Sequence, residues 1–289
     1  SRNNLSGQPT DINVKHSTFN IKIMQFRSPK YEEASVIIPD ETAQLQQPFN
    51  GTVCSKKGDE YEITNNIIDF IGNNPPAMSW AQSSNDWQLT AALYEDIWRK
   101  RSLSIFSGET FPIKKEQKLL LEWMNPKPGG TYLDVGCSTA LYARHLKKSQ
   151  ADCHLVAMDF SLPMLQEARL KAEADQTDLF LLRANARYMP FYGATFNGLM
   201  MGGTLNELTD PLKVLYECRR VIKREGVFFI MHLIKADAWY TRLLQSSTEY
   251  GGLKFWDLTE SNRLFERAGF QVADQLSKGI VCFSKLLPM

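Results

Sequence analysis

At 289 residues, with 33 basic against 32 acidic side chains, the chain is long for one compact domain and short for two large ones. Its 43% hydrophobic and 22% charged content is that of an ordinary globular protein, and a net charge of +1 gives no electrostatic reason to expect nucleic acid as the main partner. The five scattered cysteines (Cys54, Cys137, Cys153, Cys218, Cys282) form no CxxC pair, which argues against a disulfide framework or zinc knuckle and for a reducing compartment.

The chain opens with SRNNLSGQPTDINVKH, polar and without the apolar core of a signal peptide, so residues 1–34 are expected to be loosely ordered. The longest apolar runs, such as VFFIMHLI (227–234), are too short to span a bilayer, and a cytoplasmic location is expected. Residues 35–78 read as a small β module: SVIIP, NGTVCS and EYEITNNIIDFI, with KKGDE as a hairpin turn and GNNPPA closing the unit. A Trp-, Tyr- and Leu-rich helical region (80–107) follows, and then an amphipathic helix, KKEQKLLLEWM, stopped by Pro126, Pro128 and Gly129.

From there strand and helix alternate. The strands are 132–135, 154–159, 179–184, 196–201 and 227–234. Helices cover 141–148, a stretch from the cap Ser161 toward Ala174, and a stretch opened by Asp210 as cap with Pro211 at its first position. A last helix, capped by Thr259 and stopped at Gly269, precedes strands 270–273 and 280–284. This order predicts an α/β fold with an open, mostly parallel sheet and helices on both faces. The last two strands lack a helix between them and imply an antiparallel edge. Residues 79–289 form the expected main domain.

In such sheets ligands bind beyond the carboxyl ends of the strands, where the strand order reverses. The stretch TYLDVGCSTA (131–140) ends its strand at Gly136. A dinucleotide fingerprint starting there needs glycine at 138 and 141, which are Ser138 and Leu141, so NAD is disfavoured. The pattern D-x-G-x-[GS]-x-[GA] is met by Asp134, Gly136, Ser138 and Ala140. Here the chain resembles the class I S-adenosylmethionine-dependent methyltransferases of the ubiquinone/menaquinone-biosynthesis type, over about residues 114–287. The resemblance implies a Rossmann-like, seven-stranded, mostly parallel sheet with an antiparallel last strand, and S-adenosylmethionine as cofactor.

VAMDFSLPML (156–165) resembles the family's second-strand motif, which implies that Asp159 receives ribose hydroxyls through charge-assisted hydrogen bonds. LLRANARYMPF (181–191) resembles the third-strand motif, with Asn185 where an acid usually meets the adenine amino group. The expected cofactor residues are Asp134, Gly136, Cys137, Ser138, Ala140, Asp159, Phe160, Met164, Asn185, Ala186, Gly202 and Tyr94. Ala140 costs little if its φ is negative; a positive φ would lose on the order of 1 kcal/mol.

Methyl transfer from a sulfonium is an in-line displacement, so alignment does most of the work. The candidate catalytic residues are His232, on the strand 227–234, and Asn206 or Glu207, which could face the acceptor, in MMGGTLNELTD (200–210). The segment 235–257 falls where relatives insert a substrate cover; Trp239, Tyr240, Tyr250 and Trp256, with Trp98 from ALYEDIWRK, are the candidate acceptor walls. YEITNNIIDF (61–70) resembles the end of a zinc-ribbon-like domain in cyanobacterial and plastid methyltransferases, but Cys54 alone stands where four ligands are needed, so the module is expected to hold no metal. The expected acceptor is a small, fairly apolar molecule, a quinol-like ring or natural product, handled by a monomer or homodimer. The alternative is a catalytically silent binding or regulatory subunit on the same fold.

Overall fold

The computed structural model describes residues 26–29, 35–37, 50–72, 113–236, 245 and 253–289. The strands are β1 (Phe26–Arg27), β2 (Ser35–Ile37), β3 (Gly51–Ser55), β4 (Glu60–Thr64), β5 (Ile67–Asp69), β6 (Thr131–Val135), β7 (His154–Asp159), β8 (Phe180–Arg183), β9 (Phe196–Gly202), β10 (Ile222–Leu233), β11 (Phe270–Lys278) and β12 (Val281–Pro288). The described helices are α1 (Ile113–Met124), α2 (Leu141–Ser149), α3 (Leu162–Ala174), α4 (Pro211–Val221) and α5 (Leu258–Arg267).

Among the described residues these strands join in one sheet, ordered β1-β2-β3-β4-β5-β8-β7-β6-β9-β10-β12-β11. The seven from β8 to β11 are the expected unit: parallel from β8 to β10, then reversed at β12. The chain steps from β6 to β7 on one side and returns to β9 on the other. The carboxyl end of β6 is therefore the switch point.

Alternation along each strand sorts the core into two layers. On β10, Phe228 and Ile230 join Val214, Leu215, Cys218 and Val221 of α4 and Phe265 of α5. Phe229 and Met231 face the other way, with Leu120, Trp123 and Met124 of α1 and Tyr142, Ala143 and Leu146 of α2. Local signals end the helices as the residue types demand. Ser161 Oγ accepts from Met164 N at 3.4 Å, and Asp210 Oδ1 accepts from Lys213 N at 3.1 Å. The cap of α5 is Asp257, whose Oδ1 accepts from Thr259 N at 2.9 Å, rather than Thr259 itself. β10 begins five residues earlier than expected, because a register shift between Ile222 and Val227 absorbs the polar KREG turn as a bulge.

The N-terminal module continues the sheet: β5 runs parallel to the edge strand β8, pairing Ile67 with Leu181 and Asp69 with Arg183. The run EYEITNNIIDFI, expected as one strand, folds back on itself at Asn65 and Asn66. Both have positive φ (50° and 66°), as a two-residue hairpin turn of the primed type requires. Residues 26–29 are docked rather than loose. Phe26 is fully buried, its ring 5.9, 5.5 and 5.7 Å from those of Phe70, Phe180 and Phe191. Such aromatic burial outweighs the polar character of the flanking sequence.

Candidate active site

Past Val135 the chain turns sharply at Gly136, with φ +66°. Gly136 N and Cys137 N both donate to Met158 O on β7, at 2.8 and 3.0 Å. Across the turn, Thr204 Oγ1 donates to Gly136 O at 3.0 Å. A Cβ on Gly136 would lie 2.4 Å from Thr204 Oγ1, so glycine is required by space as well as by conformation. Ser138 (φ 50°) and Ala140 (φ 57°, ψ 39°) also lie in the left-handed region. The loop thus keeps a glycine-type backbone with side chains that resist it.

Ala140 is the N-cap of α2 and offers no side-chain acceptor. Asp134, buried on β6, supplies one instead: its Oδ2 accepts from Ala143 N in the first turn at 3.2 Å. Asp159 ends β7 and organises the loop from the other side. Its Oδ2 accepts from Ser138 N at 2.7 Å, and its Oδ1 accepts from Ser161 N at 2.9 Å. It remains half-buried, so part of its surface stays within reach of a ligand's hydroxyls. Burial pushes the Cys137 thiol well above its ordinary range, and the charges of Asp159 and Asp134 push it further. Both carboxylates therefore act on the loop, and their field favours a cationic ligand.

Between the loop and β9 lies a cleft partly open to solvent, with about 310 Å³ of free space when the open solvent at its mouth is counted, lined by Asp134, Gly136, Cys137, Ser138, Thr139, Leu141, Tyr142 and Gly202. The Tyr142 hydroxyl donates to the Glu116 carboxylate, which anchors this wall to α1. Beside the loop, the buried Met164 accepts from Ser138 Oγ at 3.3 Å through its sulfur. Phe160, Asn185 and Ala186 are half-buried near the ends of β7 and β8. Asn185 Oδ1 accepts from Arg187 N at 3.0 Å, an Asx-type turn that uses one of its lone pairs. Open cleft, acidic field and partly exposed Asp159 fit a nucleoside carrying a cationic sulfonium.

Two of the catalytic candidates are corrected by their surroundings. His232 shares the side of β10 that faces α5, opposite the layer containing α2 and the cleft. It is fully buried, 3.2 Å from Ser261 Oγ through Nε2 and edge-on to Phe265. Burial holds its pKa down at about 3, so it is a neutral core residue. Asn206 is also sealed in. Its Oδ1 accepts from Leu233 N at 2.8 Å, and its Nδ2 donates to Leu233 O and Lys254 O at 2.8 and 2.6 Å. Its amide clasps three backbone groups and has no donor to spare. Glu207 stays half-buried at the end of the short helical turn, with its N–H on Thr204 O.

Trp256 is no pocket wall either: it is 2% exposed, packed in the core, with Lys254 Nζ 3.6 Å above its ring. Tyr94, Trp98, Trp239, Tyr240 and Tyr250 lie outside the described residues. Sequence reasoning missed Thr204, because a threonine inside GGTLNE carries no pattern. It also missed Arg183, whose partners are far away in the chain.

Residues 133–230 match the family described as a methyltransferase domain. Over 185 residues the chain is 30% identical to demethylmenaquinone methyltransferase of Bacillus velezensis, covering 54% of this chain and 77% of that protein. The chain belongs to the S-adenosylmethionine-dependent methyltransferases. An uncharacterized chloroplastic methyltransferase of Arabidopsis thaliana is 26% identical over 209 residues, which take in 68% of this chain. The match spans 56% of that relative, little more than half its length. A solved S-adenosylmethionine-dependent methyltransferase of Aquifex aeolicus has the same fold, with a TM-score of 0.50 at 23% identity, over 60% of this chain and 88% of that one. No described helix is long and apolar enough to cross a membrane.

Proposed function

We propose that the protein transfers the methyl group of S-adenosylmethionine to a small, fairly apolar acceptor, a quinol-like ring or a related natural product. The observation that carries this reading is the cleft at the switch point, roofed by a left-handed loop and flanked by Asp134 and Asp159. The name of the Bacillus velezensis relative supports a quinol as acceptor.

In this reading Asp159 takes the ribose hydroxyls, and Phe160, Met164, Asn185 and Ala186 serve the base. The loop from Gly136 to Ala140, with Gly202, holds the amino-acid end. The cofactor supplies an activated methyl group on a positively charged sulfur. This chain's residues align the acceptor and exclude water, which is where most of the acceleration of a displacement arises. With His232 and Asn206 committed to the core, Glu207 is the acid–base group left among the three candidates. The cover of the acceptor falls to Trp98, Trp239, Tyr240 and Tyr250.

The test is transfer of label from methyl-labelled S-adenosylmethionine to a panel of reduced demethylated quinols, phenols and carboxylic acids. Labelled quinol with unlabelled phenols and acids is the expected result. Tight binding of S-adenosylhomocysteine with no label on any acceptor would favour the silent binding subunit instead.

A further inference from the structure

We infer that Arg183 is a positioning residue that couples the N-terminal β module to cofactor binding, by tying Asp69 and Gly72 of the module to the Asp159–Phe160 turn. The inference rests on the reading of Asp159 as a cofactor residue. Arg183 ends β8, paired with Asp69 on one side and Asp159 on the other. Its guanidinium spans the two. Nη1 donates to Asp69 Oδ2 at 2.9 Å and Gly72 O at 3.3 Å, while Nε donates to Phe160 O at 3.1 Å.

Both ends of the bridge are stiff. Asp69 Oδ1 accepts from Ile71 N and Gly72 N at 2.8 and 2.9 Å, so the carboxylate is fixed to its own turn. At the other end, Ala184 N donates to Asp159 O at 3.0 Å and Ser161 N to Asp159 Oδ1 at 2.9 Å. Residues 159–161 therefore move as one unit, and displacing the Phe160 carbonyl displaces the Asp159 carboxylate. Phe70 N donating to Arg183 O at 2.8 Å closes the frame.

The side chains of Arg183 and Asp69 are only 15% and 21% exposed, so solvent screens this pair less than an ordinary surface pair. The planar fork of arginine is what permits simultaneous donation to a carboxylate and two carbonyls. A lysine ammonium reaches only one of these directions well. A module that holds no part of the cleft lining thereby sets the angle of Asp159, which holds the backbone of the lining residue Ser138.

The experiment is calorimetric titration of S-adenosylhomocysteine into the full chain and into Asp69→Asn, Arg183→Lys and the double variant. Ile63→Val serves as a control that loosens the module core without touching the bridge. Melting temperatures are recorded without ligand. Asp69→Asn and Arg183→Lys are expected to weaken binding roughly two- to thirtyfold, the usual range for residues along a coupling route. The double variant should be no weaker than the worse single, and Ile63→Val should lower the melting temperature with affinity kept within about twofold. Wild-type binding with unchanged affinity in the bridge variants overturns the coupling alone. Equal weakening by Ile63→Val also overturns it, since the effect is then general loosening. Failure of the wild type to bind overturns the cofactor reading and the coupling with it.

Discussion

Ser138→Gly should make the protein more stable, and Ala140→Gly should not, although both relieve the same kind of strain. Each residue holds a left-handed φ that costs a side chain with a Cβ about 1–2 kcal/mol. Glycine's greater freedom in the unfolded chain takes back about 0.5–1 kcal/mol. For Ser138, half-buried and with its hydroxyl on a methionine sulfur, the remainder is a gain of about 0.5–1 kcal/mol. Ala140 has no exposed surface, so removing its methyl forfeits about 0.8 kcal/mol of burial and cancels the gain. In a chain of this size the Ser138→Gly gain corresponds to roughly 2 °C in melting temperature. Differential scanning calorimetry without ligand reads both variants. A fall for Ser138→Gly, or a larger rise for Ala140→Gly, would refute the assignment of strain.

Gly136→Ala meets Thr204 as well as an adverse φ, and should lose about 2–4 kcal/mol by urea unfolding; a loss below 1 kcal/mol would show that the loop can move away. Asn206→Ala leaves Leu233 N, Leu233 O and Lys254 O without their partner and should cost about 3 kcal/mol. Unchanged stability with abolished turnover would instead restore a catalytic role. His232→Gln should leave the pH–rate profile between about pH 6 and 9 unchanged, because a group held near pKa 3 is already neutral there; loss of one limb would contradict this. Burial raises the Glu217 carboxyl, but Arg220, Met189 N and Arg27 outweigh it and leave its pKa below the ordinary 4.5. Its stabilisation is complete above pH 4.5 and drains as pH falls below it, so wild type should lose more stability in acid than Glu217→Gln.

Features set by neighbours in the chain were legible in the sequence. Ser161 and Asp210-Pro211 mark their helices because a cap acts within three residues. The mostly parallel core sheet followed from alternation of strand and helix. Asp257 and Thr259 are both good capping types two positions apart, and only geometry chooses between them. The left-handed φ of Ala140 was not legible, since alanine does not advertise it. Nor was the union of β5 with β8, whose pairing residues stand more than a hundred positions apart. His232 and Asn206 show the general difficulty: a polar residue near a strand end looks the same whether it faces a substrate or fastens a carbonyl. Side and burial decide, and both are tertiary properties.

The central claim is that this altered loop and Asp159 form a working cofactor site. Calorimetry of S-adenosylhomocysteine binding tests it most directly, with Asp159→Asn as the comparison. Asparagine removes the charge and keeps one of the two acceptor oxygens, so it can still hold one of the Ser138 and Ser161 amides, where alanine would lose both. Wild-type binding in the micromolar range, weakened at least about tenfold in the variant, is predicted from the loss of charge-assisted bonds to the ribose. No binding by the wild type, or equal binding by both, would contradict the account.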